Sequence, residues 1–372
     1  MSDQSAVRME LVIYLLGLQG FQVSISFGVS DMAQTLFFAD LPQSTYLALN
    51  SGILNLSEPL LLDSGQILHK PRLAWRRLGE PHLPAIFILG GISAGRYAWC
   101  TEQSPTPGWW QDQIGPGNAL DPQKYQLLSF DFLGSSGNSE GPHNSRLSGP
   151  DFPAITTRDQ ARAIAALLKA LGIQKLESMI GASYGGMVTL AFAQHFSEYL
   201  KKALVICAAD RPAPLATAWR HVQREIVSMA LKQGDPEAGL RLARELAVTT
   251  YRSELEFSQR FDSGLGSAGC LPYLKHQGQS FAKRFDPYSY LCLSTSIDTH
   301  RIEAEAIPLR VDLLGYTSDL LVPAPQLKAL HTRLPKPGNL TLLNSPYGHD
   351  AFLKENLQTT QTIKNHLERK HD

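Results

Sequence analysis

Cysteine is scarce in this chain: four residues among 372, at positions 100, 207, 270 and 292. They are far apart and form no C-x-x-C pair. That excludes a disulfide-built scaffold and a thiolate zinc site of the usual spacing. It makes a reducing, cytoplasmic setting the expectation. An excess of one charge is also lacking, since 34 Lys and Arg balance 34 Asp and Glu. A nucleic-acid partner held by bulk positive charge is therefore not expected. No P-loop occurs, and the GGISAG stretch starting at Gly90 does not match a dinucleotide fingerprint. No nucleotide, flavin or metal cofactor is expected. Long apolar runs are missing too. Residues 11–29 come closest, but Gln19, Gln22, Ser24 and Ser26 interrupt them, and Asp3 and Glu10 outnumber Arg8 just before. A membrane span needs about 20 almost purely apolar residues, and a signal peptide needs a positive start. Neither is expected, and residues 1–45 read as a leader without an assigned element.

What is present is a chain with 43% hydrophobic residues, enough for a sizeable core. Short apolar runs recur at Pro84–Gly90, Tyr125–Asp131, Leu176–Ala182, Ala203–Ala209, Leu309–Gly315 and Asn339–Asn344. Each reads as a buried strand. Helical periodicity falls between several of them, as in 156–171, where Ala161, Ile164, Leu167 and Leu168 share a face and Thr157 is offered as the cap. Buried runs alternating with amphipathic helices predict a mostly parallel sheet with helices on both faces. The alternation lapses from about Arg211 to Ile307, where Ala216–Lys232, Pro236–Ala247 and Tyr288–Ser296 read as helices. The expected organisation is a core of residues 46–210 and 306–372 carrying a helical lid insertion at 211–305.

The chemistry starts at Gly181-Ala182-Ser183-Tyr184-Gly185, a G-x-S-x-G sequence between a strand-like and a helix-like run. That context is the one a nucleophile elbow requires, so Ser183 is the candidate nucleophile. A serine hydroxyl needs a base to take its proton. In this arrangement the acid and then the histidine follow the serine in chain order. His349 follows the last strand-like run and precedes a helix-like one, which makes it the candidate base. Asp319, directly after Leu309–Gly315, is the candidate acid. The oxyanion-stabilising N–H groups are expected from Tyr184, which follows the nucleophile, and from Ile92 in the Gly90-Gly91 loop. Asp131 precedes the serine, which breaks the order, so it reads as a structural turn residue.

Beyond the elbow, the segments GWWQDQIGPGNALD (108–121), DFPAITTRDQARA (151–163), GASYGGMVTLA (181–191), ATAWRHVQREI (216–226), YRSELEFSQRF (251–261), RFDPYSYLCLSTSID (284–298) and SPYGHDAFL (345–353) occur in this order. Together they resemble the homoserine O-acyltransferase family of the α/β-hydrolase superfamily, over about residues 70–370. The resemblance implies an α/β-hydrolase fold with an inserted lid. It implies Ser183, Asp319 and His349 as the triad, in agreement with the reading from the residues alone. It also implies Arg224 as the grip on the substrate carboxylate and Asp350 as the partner of its ammonium group. The activity implied is transfer of an acetyl or succinyl group from acyl-CoA, a co-substrate rather than a cofactor, to L-homoserine, in methionine biosynthesis and within a homodimer. Leu240, Leu242 and Leu246 suit either packing within the lid or contact with a second copy. Three departures stand out, a short lid being one of them. The elbow reads Ser-Tyr-Gly-Gly-Met where the family often has Ser-Met-Gly-Gly-Met, and Arg96 stands near the place of a usual histidine in the early loop. Arg96 is thereby a candidate partner for a succinyl carboxylate. L-serine as acceptor, a carboxylesterase using the same triad, and a non-catalytic binding protein are the rival readings.

Overall fold

The computed structural model describes residues 50–101, 104–261 and 269–368. The leader expected at residues 1–45 lies outside them. The described residues build an eight-stranded sheet in the order β1-β4-β6-β5-β7-β8-β9-β10. Its strands are β1 (Ser51–Asn55), β4 (Arg72–Leu78), β5 (Ala85–Leu89), β6 (Gln126–Phe130), β7 (Ser178–Ala182), β8 (Lys202–Ile206), β9 (Arg310–Tyr316) and β10 (Pro337–Leu343). The pairs from β6 across to β10 are parallel, while β1–β4 and β4–β6 are antiparallel. A short antiparallel pair, β2 (Leu60–Leu61) with β3 (Ile67–Leu68), stands apart. The six strands expected from apolar runs all occur, each end within three residues of the expected one. β1 and β4 were not anticipated, because arginines interrupt β4 and β1 opens on Ser-Gly.

The strand interiors are apolar on both faces because helices cover both. In β5, Phe87 and Leu89 join the cluster that holds α1 (Thr157–Ala170) and α2 (Tyr184–His195). Ile86 and Ile88 point into the opposite cluster with Trp99, Trp110 and Ile363. Such period-two partition is what a doubly covered strand demands. Each fully buried leucine, isoleucine or phenylalanine contributes about 1.5–3 kcal/mol. The cap of α1 is Thr156, not Thr157: the Thr156 hydroxyl accepts from the Asp159 N–H, and Asp159 accepts from the Thr156 N–H. This reciprocal box satisfies two N–H groups that a helix start leaves open. Thr157 lies inside the first turn and bonds His300 Nδ1 at 2.8 Å.

Between β8 and β9 the described residues form α3 (Pro214–Lys232), α4 (Pro236–Tyr251), α5 (Glu254–Phe261), α6 (Leu271–Ala282) and α7 (Pro287–Asp298). Val227, Leu240, Ala243, Phe281 and Tyr290 give these helices a small core of their own. Leu240 is thus spent on internal packing, whereas Leu242 is exposed. Two further helices, α8 (Ala324–Arg333) and α9 (Asn356–Glu368), complete the sheet domain. No helix among the described residues is long and apolar enough to cross a membrane.

Candidate active site

β7 is a central strand, flanked by β5 and β8. Its last residue is Ala182, and α2 begins two residues later, so the chain reverses at Ser183 alone. There φ is +56° and ψ is −122°, a state that costs a non-glycine residue about 1–3 kcal/mol. The neighbouring glycines make the reversal possible. A Cβ on Gly181 would meet the Gly185 carbonyl oxygen at 2.2 Å, and one on Gly185 would meet Leu89 backbone at 2.6 Å. The motif's glycines are therefore required by the close approach of α2 to the ends of β5 and β7.

The turn aims Ser183 Oγ at His349, whose Nε2 lies 2.8 Å away. On the other side of the ring, Nδ1 lies 2.8 Å from Asp319 Oδ2. Asp319 follows β9, and its Oδ1 accepts from the N–H groups of Leu321 at 2.8 Å and Val322 at 3.0 Å. Those bonds fix the carboxylate, which fixes the tautomer of the ring with Nδ1 protonated. Burial pulls the imidazole pKa down, and the adjoining Asp319 charge more than reverses this, leaving it above its ordinary value. The three side chains that the sequence singled out as nucleophile, base and acid thus stand in one hydrogen-bonded line.

The expected oxyanion donors face the same cavity. Among the described residues neither the Ile92 N–H nor the Tyr184 N–H has an acceptor within the protein. The Gly90 carbonyl accepts from Gly185 N–H at 2.9 Å, holding the early loop against the elbow. A Cβ on Gly91 would lie 4.0 Å from Ser183 Cβ. The Tyr184 side chain turns the opposite way, into the core, where its hydroxyl bonds Ser296 Oγ at 2.7 Å. An aromatic residue at this point of the elbow is therefore compatible with a backbone donor.

The cavity measures 220 Å³, and Ser183, His349, Ile92 and Tyr184 are part of its wall. Asp350 is in the wall too, bound to Arg252 at 3.1 Å. Arg252 is shared with Glu256 at 3.0 Å, so two carboxylates meet one guanidinium and the local balance is negative. On α3 the balance is reversed. Arg220 and Arg224 both pair with Asp298. Arg220 lines the cavity; Arg224, one turn further on, does not, and also bonds Ser294 Oγ at 3.1 Å. Arg96 is a clear correction to the sequence reading. Its side chain is 4% exposed, paired with Asp131 and bonded to the Tyr97 hydroxyl, and it is not part of the cavity wall. Asp131 also accepts from the N–H groups of Arg96 and Asn138. It is a structural turn residue, and its charge claims the arginine.

Among the wall residues that were not anticipated are Arg220, Arg244, Tyr251 and Cys207. Arg220 carries a signal that was there to be read, since it lies four residues before Arg224 on the same helix face. Arg244 lies over the rings of Tyr251 and Phe281, with 5.3 and 5.1 Å to their centroids. Tyr251 in turn stands 6.2 Å from the His349 ring. Neither had a motif to mark it. Cys207, Asp319 and His349 offer one ligand atom each within 4.8 Å of one another. Both nitrogens of His349 are already engaged within the triad, so a cation there would have to dismantle it.

The family model described as the alpha/beta hydrolase fold matches residues 84–355. A homoserine O-succinyltransferase from Xanthomonas campestris is 40% identical over 290 residues, 76% of this chain and 75% of that protein. A serine O-succinyltransferase from Xylella fastidiosa is 32% identical, covering 84% of this chain and 96% of its own. The crystal structure of homoserine O-acetyltransferase from Staphylococcus aureus superposes with a TM-score of 0.75 at 28% identity, over 86% of this chain and 96% of that one. The elbow, the chain order of its partners and these matches agree: the chain belongs to the homoserine O-acyltransferase family of α/β-hydrolase-fold enzymes.

Proposed function

We propose that this protein transfers an acyl group from acyl-CoA to the hydroxyl of L-homoserine by way of an acyl-serine. The observation that carries the reading is the unbroken line Ser183–His349–Asp319 opening into the cavity. His349 takes the Ser183 proton as Oγ attacks the thioester carbonyl. The resulting oxyanion is held by the Ile92 and Tyr184 N–H groups. One such donor is worth about 3–4 kcal/mol in the transition state. The thiolate of CoA leaves with the proton from His349. The homoserine hydroxyl then loses its proton to the same imidazole and attacks the acyl-serine, and Ser183 is regenerated. Donor and acceptor occupy the site in turn, so the kinetics are ping-pong.

The charges around the cavity support an amino-acid acceptor. A zwitterion carries one carboxylate and one ammonium. The positive balance at Arg220 and Arg224 suits the first, and the negative balance at Asp350 suits the second. The ester product is an intermediate of the kind methionine biosynthesis uses, the reaction needs no cofactor beyond its co-substrate, and the setting is cytoplasmic. The same reading includes a homodimer, and light scattering on the purified protein checks it.

L-serine is the second acceptor to weigh, favoured by the Xylella fastidiosa relative. The deciding experiment measures free CoA released from succinyl-CoA and from acetyl-CoA, each alone, with L-homoserine and with L-serine. The expected result is homoserine-dependent release, with the O-acyl product confirmed by mass. Release that serine stimulates more strongly would move the acceptor, and release indifferent to both would make the protein a hydrolase.

A further inference from the structure

One buried group beside the triad has no part in the acyl transfer just described. Cys207 follows β8 directly, is 1% exposed and holds φ at +49°. Outside glycine, that backbone region is adopted when the surroundings impose it. The Cys207 N–H donates to the Leu314 carbonyl at 2.8 Å and ties the strand end to β9. Cys207 is part of the cavity wall, and its Sγ lies within 4.8 Å of a carboxylate oxygen of Asp319 and of a ring nitrogen of His349. Burial, and then the charge of Asp319, push the thiol pKa well up, so the group is an S–H donor and not a thiolate. Asp319 Oδ1 already accepts two backbone N–H groups and Oδ2 accepts His349 Nδ1–H.

We infer that Cys207 is a positioning residue for the triad: its S–H donates to the Asp319 carboxylate and sets how strongly that carboxylate holds the charged imidazole of His349. The inference rests on the reading of Ser183, His349 and Asp319 as the catalytic line. A thiol is a weak donor. It steadies the carboxylate while withdrawing little of the charge that His349 needs. Removing the donor leaves more charge for the imidazolium and raises the pKa of His349. A hydroxyl in its place withdraws more and lowers it. The other charged or titratable groups facing the pair are Asp350 and Arg220 beside His349, Tyr251 across from its ring, and Tyr316 beside Cys207. Tyr316 keeps its hydroxyl on Thr359 Oγ1 at 3.0 Å, so it does not compete for Asp319.

The test is the pH profile of kcat/KM for p-nitrophenyl acetate, a probe that needs the triad but no amino-acid acceptor, in wild type, Cys207→Ala, Cys207→Gly and Cys207→Ser. The acid limb is expected to move up by about 0.3 pH unit in Cys207→Ala and down by a similar amount in Cys207→Ser, as a hydrogen-bond difference of that size implies. Cys207→Gly removes the donor and also relieves the backbone, so it should follow Cys207→Ala. Limbs that stay together in all variants, or all move the same way, would overturn the inference and leave Cys207 a packing residue. A wild type that cleaves the ester yet transfers nothing to homoserine would sink the proposed acceptor and leave this test intact. Thermal melts of the variants separate misfolding from a shifted limb.

Discussion

His349 Nε2 lies 2.8 Å from Ser183 Oγ although 166 residues separate them in the chain. The contact joins the end of β7, in the middle of the sheet, to the loop beyond β10, its last strand. Neither residue could find the other through local structure. The sheet order brings them together, and the strained turn at Ser183 supplies the last adjustment of angle.

Replacing Ser183 by alanine removes the atom that carries the acyl group. The expected loss in kcat is at least about 10⁴-fold, as for nucleophiles acting within a triad. Intact-protein mass spectrometry after mixing with acyl-CoA alone should show an adduct on the wild type and none on Ser183→Ala. An adduct that persists in the variant would place the covalent step elsewhere.

The acid limb of kcat/KM should lie above the range of a free histidine. His349 acts as base only when neutral, and the nearby Asp319 charge favours the protonated form despite burial. A raised pKa means that activity is lost as pH falls through a value above about 6.5. Asp319→Asn removes the charge, so the limb should move towards acid, while kcat falls by about 10⁴ because the tautomer is no longer enforced. A limb that stays in place in Asp319→Asn would assign the titration to another group.

How much of this was legible in the sequence depends on whether a signal was local. The G-x-S-x-G turn, the strands around it and the chain order to Asp319 and His349 all come from short patterns with a direct steric or chemical cause. The antiparallel strand β4 escaped because Arg72, Arg76 and Arg77 sit inside it. Arg76 is satisfied there by the Trp99 carbonyl and the Thr101 hydroxyl, contacts visible only once the chain is folded. Arg96 misled for the same reason. Its nearness in sequence to the oxyanion loop suggested a substrate contact, whereas the fold gives it to Asp131.

Arg220 and Arg224 should prove unequal. Both share Asp298, but only Arg220 borders the cavity. If the acceptor's carboxylate docks at this positive edge, Arg220→Ala should raise KM for homoserine by about 10–100-fold, the loss of a hydrogen bond to a charged group. Arg224→Ala should raise it less, and Asp298→Asn should disturb both arginines together. A larger effect at Arg224 than at Arg220 would mean that the α3 side chains rearrange when substrate binds.

A second serine–histidine–aspartate line is present and should have no catalytic role. Ser178 Oγ lies 2.7 Å from His366 Nε2, and His366 Nδ1 lies 2.6 Å from Asp312 Oδ2. All three side chains are buried, and none belongs to the cavity wall around Ser183. The line staples α9 to the entering ends of β7 and β9. Burial lowers the pKa of His366 despite Asp312, while the bonds from His366 and Arg310 outweigh burial and hold Asp312 below its ordinary value. Both shifts have the same consequence for stability. As pH falls below about 6.5 the unfolded state takes up the histidine proton first, and further down the unfolded aspartate is protonated before the folded one, so stability is lost in each step. Ser178→Ala leaves a buried ring nitrogen without its partner and should cost about 1–3 kcal/mol. The measurement is a pair of denaturation curves, at pH 7 and pH 5, together with turnover at pH 7. Full turnover with a lowered melting temperature is the expected outcome, and loss of turnover in a variant that remains folded would show that the staple also serves the active site.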